Sequence, residues 1–142
     1  MPMIQLTAPS GALTDQGRAE VQRELARALL RWEGAPDTAF FRAQAWSYLT
    51  ELPARAQTTV EDDLPRFRID VTVPEGALSD RRKSGLVEEA TRIVLEAAGL
   101  TASDALRVWV LIHEQADGTW GAGGSVIRYA DLKAPAKDTT GA

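Results

Sequence analysis

The sequence predicts an α/β fold in which two tandem β-α-β units form a four-stranded sheet with two helices on one face. Three observations predict it. The heptapeptide PSGALTD at 9–15 returns as PEGALSD at 74–80, and at the same offset of 65 Ile4, Thr7, Glu24, Arg27, Gly34 and Arg42 meet Ile69, Thr72, Glu89, Arg92, Gly99 and Arg107 without a gap. Agreement spread over half the chain marks an internal duplication, which has to be settled before any fold is assigned. Each heptapeptide is followed by apolar residues at helical spacing. Each helix is followed by a second apolar run, ALRVWVLIHE at 105–114 being rich in strand formers.

Residues 3–8 and 67–73 are short runs of Ile, Leu, Val and Thr closed by Pro and Gly, and they read as strands. Thr14 and Ser79 are helix N-caps, each with Asp next in the first turn where it complements the helix dipole. Val21, Leu25, Ala28, Leu29 and Trp32 line one face of the first helix. Leu86, Ala90, Ile93, Val94 and Ala97 line one face of the second, whose first turn carries the solvated RRK of 81–83. Gly34 and Gly99 stand just past the helix ends. Second strands are expected at 39–49, AFFRAQAWSYL, and at 105–114, each parallel to the first strand of its unit through a right-handed crossover. Alternation along the latter puts Leu106, Val108, Val110 and Ile112 on one side and Arg107, Trp109, Leu111 and His113 on the other. Neither side reads as freely solvated, so a partner subunit is the simplest cover for the face away from the helices.

The single domain expected over 1–130 therefore consists of repeats at about 2–49 and 66–114, joined by a loop at 50–65, with a hairpin at 118–129, GTWGAGGSVIRY. The tail at 131–142, rich in Ala, Lys, Thr and Gly, reads as frayed.

Composition narrows the chemistry. The 142 residues include no cysteine and one histidine, His113, which excludes thiol nucleophiles, disulfides and a multi-histidine metal cage. A net charge of -4 without a long basic cluster argues against nucleic-acid binding. No apolar run reaches membrane-spanning length and the start is not that of a signal peptide, so a cytoplasmic protein is expected. Chemistry is left to carboxylates, arginines, hydroxyls or the chain terminus. The glycines of the hairpin lack the GxGxxG pattern and the Lys-Ser/Thr pair of a phosphate loop.

The chain also resembles the tautomerase superfamily, the group of 4-oxalocrotonate tautomerase and cis-3-chloroacrylic acid dehalogenase, in its fused two-unit type. The residues carrying the likeness are Met-Pro at the start, the doubled unit, FFRAQ at 40–44, VWVLIHE at 108–114 and TWGAGG at 119–124. The resemblance implies a trimer and an amino-terminal proline, Pro2, exposed as the catalytic base once Met1 is removed. It also implies an arginine early in the second strand that binds a substrate carboxylate. Arg42 and Arg107 both fit, and Arg107 has the better flanking match. Trp120 falls where the family places an aromatic pocket wall. His113 is a secondary acid or base candidate, while Glu114 faces the other way on an ideal strand. No metal or organic cofactor is required.

The role of Pro2 is chemically sound. A terminal α-amino group titrates near about 7.7–8.0, and an apolar pocket beside arginines lowers that value toward the range useful to a general base. At the repeat offset Pro2 meets the internal Phe67, so one site per chain is expected. Several family positions depart from pattern: alanine follows glycine in both turns, at Ala12 and Ala77. VPEGAL lacks the paired arginines of the dehalogenases, and Leu29 and Leu111 stand where those have histidine and tyrosine. The favoured reading is a tautomerase that moves a proton between carbon and oxygen of a small 2-keto or unsaturated carboxylic acid. The alternatives are a catalytically silent trimeric binding protein of the same fold, or a hydratase or dehalogenase drawing on Glu51 or Arg55 from the middle of the chain.

Overall fold

The computed structural model describes residues 2–131; the tail expected at 131–142 lies outside the described residues from 132 onward. Strand β1 (Met3–Pro9) leads into helix α1 (Asp15–Glu33), a short helix α2 (Ala39–Gln44) and strand β2 (Trp46–Leu52). Strand β3 (Phe67–Pro74), helix α3 (Asp80–Ala97), a 3₁₀ turn (Ala102–Arg107) and strand β4 (Val108–Gln115) repeat that order. Strands β5 (Trp120–Ala122) and β6 (Ser125–Ile127) form a separate hairpin.

The main sheet runs β2-β1-β3-β4, with β1 parallel to β2, β3 parallel to β4, and the two units joined by antiparallel pairing of β1 with β3. Gln5 lies opposite Asp70, its own equivalent at the repeat offset, so a local dyad passes between them. The same register sets Met3 against Thr72 and Thr7 against Arg68.

Alternation on β1 and β3 buries Ile4, Leu6 and Ala8 together with Phe67, Ile69, Val71 and Val73, beneath Val21, Leu25 and Leu29 of α1 and Leu86, Ala90 and Val94 of α3. Each such Leu or Ile removed from water contributes about 1.5–3 kcal/mol. The helices begin where their caps stand: Thr14 Oγ1 accepts from Gly17 N at 2.9 Å, and Ser79 Oγ accepts from Arg82 N at 3.3 Å. Thr14 also donates, through its backbone N–H at 2.9 Å, to the Ala97 carbonyl, which ties the start of α1 to the end of α3. The opposite face presents Trp46, Tyr48, Trp109 and Leu111, with Trp109 67% exposed.

Both second strands start later than expected. Residues 39–44 of the run at 39–49 are helical, because Thr38 caps them and accepts from Phe41 N at 3.3 Å while Phe41 is buried. In the second unit the 3₁₀ turn takes up Ala105–Arg107, held by Asp104 accepting from Thr101 N at 3.2 Å, and it leaves Leu106 90% exposed rather than on the strand. Strand partners are 43 residues apart in the first unit, Met3 to Trp46, and 41 apart in the second, Arg68 to Trp109. The gapless repeat therefore slips by two beyond the helices: Trp46 is the structural counterpart of Trp109, and Gln44, not Arg42, is the counterpart of Arg107.

Helices α1 and α3 approach so closely that a Cβ on Gly17 would lie 2.1 Å from the Ala97 carbonyl oxygen, and one on Gly85 would lie 2.2 Å from the Trp32 ring. Gly85→Ala is expected to destabilise the fold by about 1–3 kcal/mol in urea denaturation, the range for overpacking a tight contact. The same substitution in a Trp32→Leu background should cost measurably less, since the clashing ring is gone.

Candidate functional site

Pro2 is buried at the foot of β1, and its carbonyl accepts a hydrogen bond from Trp46 N at 3.2 Å. It lines a cavity of about 530 Å³ together with Met3, Gln44, Trp46, Thr72, Gln115, Thr119, Trp120 and the glycine turn that follows. The walls are largely aromatic and aliphatic, with a few amide and hydroxyl groups, the usual make-up of a small-molecule pocket. Gln115, the last residue of β4, donates through its side-chain amide to Thr119 O at 3.1 Å and Thr119 Oγ1 at 2.9 Å. That anchor sets the start of the hairpin, whose turn places Gly123 and Gly124 at φ +62° and +84°, the left-handed pair a type I′ turn requires. Trp120 is thereby brought against the cavity from 118 residues away in sequence.

The remaining sequence-derived candidates lie elsewhere in the chain. Arg42, in the last turn of α2, is ion-paired with Asp37 at 2.6 Å and lines a second concavity with Arg23, Arg27 and Ser47. Arg107, at the end of the 3₁₀ turn, lines a third with Arg66, Arg68 and Trp109. His113 lies on the sheet face away from the helices, its Nε2 2.9 Å from Asp70 Oδ1; Asp70 also accepts from Arg68 Nε at 2.8 Å. His113 is the register partner of Thr72, which borders the Pro2 cavity, but it does not line that cavity itself. Glu114 points to the helix side, where Lys83 meets it at 3.0 Å, and this hydrogen bond raises the lysine pKa. Glu51 pairs with Arg18, and Arg55 sits in the middle loop at φ +69°; neither lines the Pro2 cavity.

Within one chain the fold thus brings Pro2 and Trp120 together and keeps Arg42, Arg107 and His113 apart from them. Gln44, Trp46, Thr72 and Gln115 are cavity residues that reading the sequence did not single out. Thr72 arrives only through the antiparallel pairing of β1 with β3, and Gln44 only through the parallel register that sets Trp46 beside Met3; the doubled apolar pattern signals neither.

The comparisons with known proteins agree with this architecture. Residues 68–130, the second unit with its hairpin, match the family described as Tautomerase enzyme. No curated protein matches the sequence. Among solved structures, the chain is similar to Pt0534 inactivated by 2-oxo-3-pentynoate, with a TM-score of 0.75 and 18% identity over 92% of this chain and 98% of that one. It is similar to a member of the cis-3-chloroacrylic acid dehalogenase family, with a TM-score of 0.71 and 17% identity over 96% and 99%. A wild-type fused 4-OT solved as an asymmetric trimer gives a TM-score of 0.69 and 20% identity over 94% and 98%. The family match in the second unit and the shared fold along nearly the whole chain support the tautomerase superfamily, in agreement with the resemblance read from the sequence. Among the described residues no helix is long and apolar enough to cross a membrane.

If Gln115 holds the hairpin, Gln115→Leu removes two hydrogen bonds worth about 1 kcal/mol each. Amide hydrogen exchange at Trp120–Ala122 should then accelerate about tenfold or more, while exchange in β1 and β3 stays unchanged.

Proposed function

We propose that the chain, once Met1 is removed, is a tautomerase in which the secondary amine of Pro2 moves a proton on a small 2-keto or unsaturated carboxylic acid. The observation that carries this reading is the burial of Pro2 in a cavity walled by Trp46 and Trp120. Apolar surroundings of this kind disfavour the protonated form of an amine, which is the direction a general base needs. In the ketonisation of an enol, the Pro2 nitrogen accepts the enol O–H proton while the electron pair moves through the C=C bond to the adjacent carbon. The resulting prolinium returns a proton to that carbon, the C=O bond forms, and the amine is regenerated. The hydroxyl of Thr72, which lines the cavity, would donate a hydrogen bond to a substrate oxygen.

In this reading a carboxylate clamp is supplied by another subunit, since among the described residues no arginine lines the Pro2 cavity. Arg42 or Arg107 would supply it, with the planar fork that binds carboxylate bidentately. A threefold assembly supports such sharing. The exposed face with Trp46, Tyr48, Trp109 and Leu111 needs cover, and fused 4-OT relatives are trimers. The absence of an arginine beside Pro2 equally favours a second reading, a silent binding protein that keeps the pocket and lacks the chemistry.

Intact mass of the purified protein is expected to show loss of Met1; full retention leaves the silent protein in front. Pro2→Ala should lower the ketonisation rate of the phenylpyruvate enol by about 10²- to 10⁴-fold, the usual contribution of a positioned acid-base group. An unchanged rate would remove Pro2 from the mechanism. Light scattering at micromolar concentration should give three chains per particle, and a stable monomer would rule out a clamp supplied by a neighbour.

A further inference from the structure

On the inner face of α1 the row of side chains four apart runs Val21, Leu25, Leu29 and then Glu33. The equivalent row of α3 and its cap runs Leu86, Ala90, Val94 and then Ala98. The first three members of each row are buried in the core, and Ala98 packs against it. The first helix therefore ends with a carboxylate where the second ends with a methyl group. The local dyad between Gln5 and Asp70 sets this difference beside another. It carries Pro2 onto Phe67, at the other end of the β1–β3 pair, where a cavity of about 290 Å³ is bordered by Phe67, Arg66, Arg68 and Arg107. The carboxylate belongs to the unit whose first strand follows the amino end of the chain. The unit whose first strand opens with an ordinary peptide, at Phe67, has none.

Strands β1 and β2 are parallel with Met3 opposite Trp46, so the crossover helix runs back against both and its last turn returns to the start of β1, beside Pro2. Glu33 is half-buried there, and among the described residues its carboxylate has neither a hydrogen bond nor an ion pair. The cations of the neighbouring elements are engaged elsewhere. Arg82 of α3 donates to the main-chain carbonyl of Glu33 at 2.9 Å, Arg31 meets Glu89, Lys83 meets Glu114 and Arg42 of α2 meets Asp37. Burial pushes the Glu33 carboxyl up, and the positive charge of the chain's amino terminus acts against that rise.

We propose that Glu33 is the counter-charge of the Pro2 amine, a positioning residue on the helix side of the cavity that stabilises the prolinium formed when Pro2 takes the enol proton. The proposal rests on the reading of Pro2 as a free terminal amine and deepens it. Glu33 does not line the cavity, so it acts on the substrate only through Pro2. The carboxylate stays ionised and gives up no proton. The walls of Trp46 and Trp120 disfavour the protonated amine while Glu33 favours it, and the balance sets how readily Pro2 takes and returns its proton.

The test is an NMR titration of the mature protein labelled with ¹⁵N-proline and ¹³C-glutamate, following the Pro2 amine nitrogen and the Glu33 carboxyl carbon against pH. Glu33→Gln should move the midpoint of the amine to lower pH by about one unit or more, the effect of losing a nearby opposite charge. Glu33→Asp, which keeps the charge on a shorter arm, should restore part of that change; a merely structural role for the side chain would move neither midpoint. In the wild-type protein the Glu33 carboxyl signal should show a second inflection at the midpoint of the amine, as interacting groups do, and this provides the readout if Glu33→Gln fails to fold. An amine midpoint unaltered by Glu33→Gln, or a Glu33 signal blind to the amine, would overturn the proposal. Retention of Met1 would overturn it too, since no Pro2 amine would then exist. The titration reads the amine whether or not it catalyses, and the rate of Pro2→Ala reports on catalysis, so failure of one claim is distinguishable from failure of the other.

Discussion

The antiparallel pairing of β1 with β3 is the constraint on which the rest depends. Each β-α-β unit has only two parallel strands and one long helix, too little to enclose a core. Pairing the first strands back to back puts Ile4 and Leu6 beside Ile69 and Val71 at the centre of a four-stranded sheet, and sets both helices side by side over them. A slip of one residue would turn every one of these side chains to the opposite face. The same register puts Thr72 next to Met3 at one end and Thr7 next to Arg68 at the other, so one pairing creates both cavities.

What a dyad makes equivalent, sequence divergence has made different. Gly17 lets the start of α1 touch the backbone at the end of α3, while at the other end Trp32 fills the space over Gly85 and donates from its indole Nε1 to Glu89 at 2.7 Å. Glu89 also meets Arg31, so that end of the helix pair is polar and aromatic where the other is backbone against backbone. The cavities diverge likewise, one around Pro2 and amides, the other around Phe67 and arginines.

Much of this was legible in the sequence because it is local. Thr14 and Ser79 cap helices by their own hydroxyls, helical spacing selects the buried face of α1 and α3, and alternation from Val108 onward separates Val110 from Trp109. The site candidates were legible only in part. Pro2 and Trp120 line one cavity, and no periodicity carries the information that Gln44 and Thr72 join them, since that rests on contacts between distant strands. The segment at 39–44 misled because Phe40 and Phe41 suit a strand by composition, whereas the Thr38 cap and the burial of Phe41 favour a turn and a half of helix. The arginines at 42 and 107 aligned in the repeat only because a two-residue difference in the connection to the second strands leaves no mark in a gapless comparison.

The loop from Pro53 to Arg66 is the only covalent link between the two units, and none of its residues belongs to the buried core. Its bonds are largely internal: Thr59 Oγ1 donates to Asp62 O at 2.9 Å, and the Asp62 carboxyl, held below its ordinary range first by Arg66, accepts from Leu64 N at 2.9 Å. For packing, the connection therefore acts as a tether that keeps one half at an effective concentration of order millimolar around the other. Severed near Arg55, the halves would still share the whole interface of paired strands and stacked helices, and their reunion would become a bimolecular association of two fragments, its yield set by dilution.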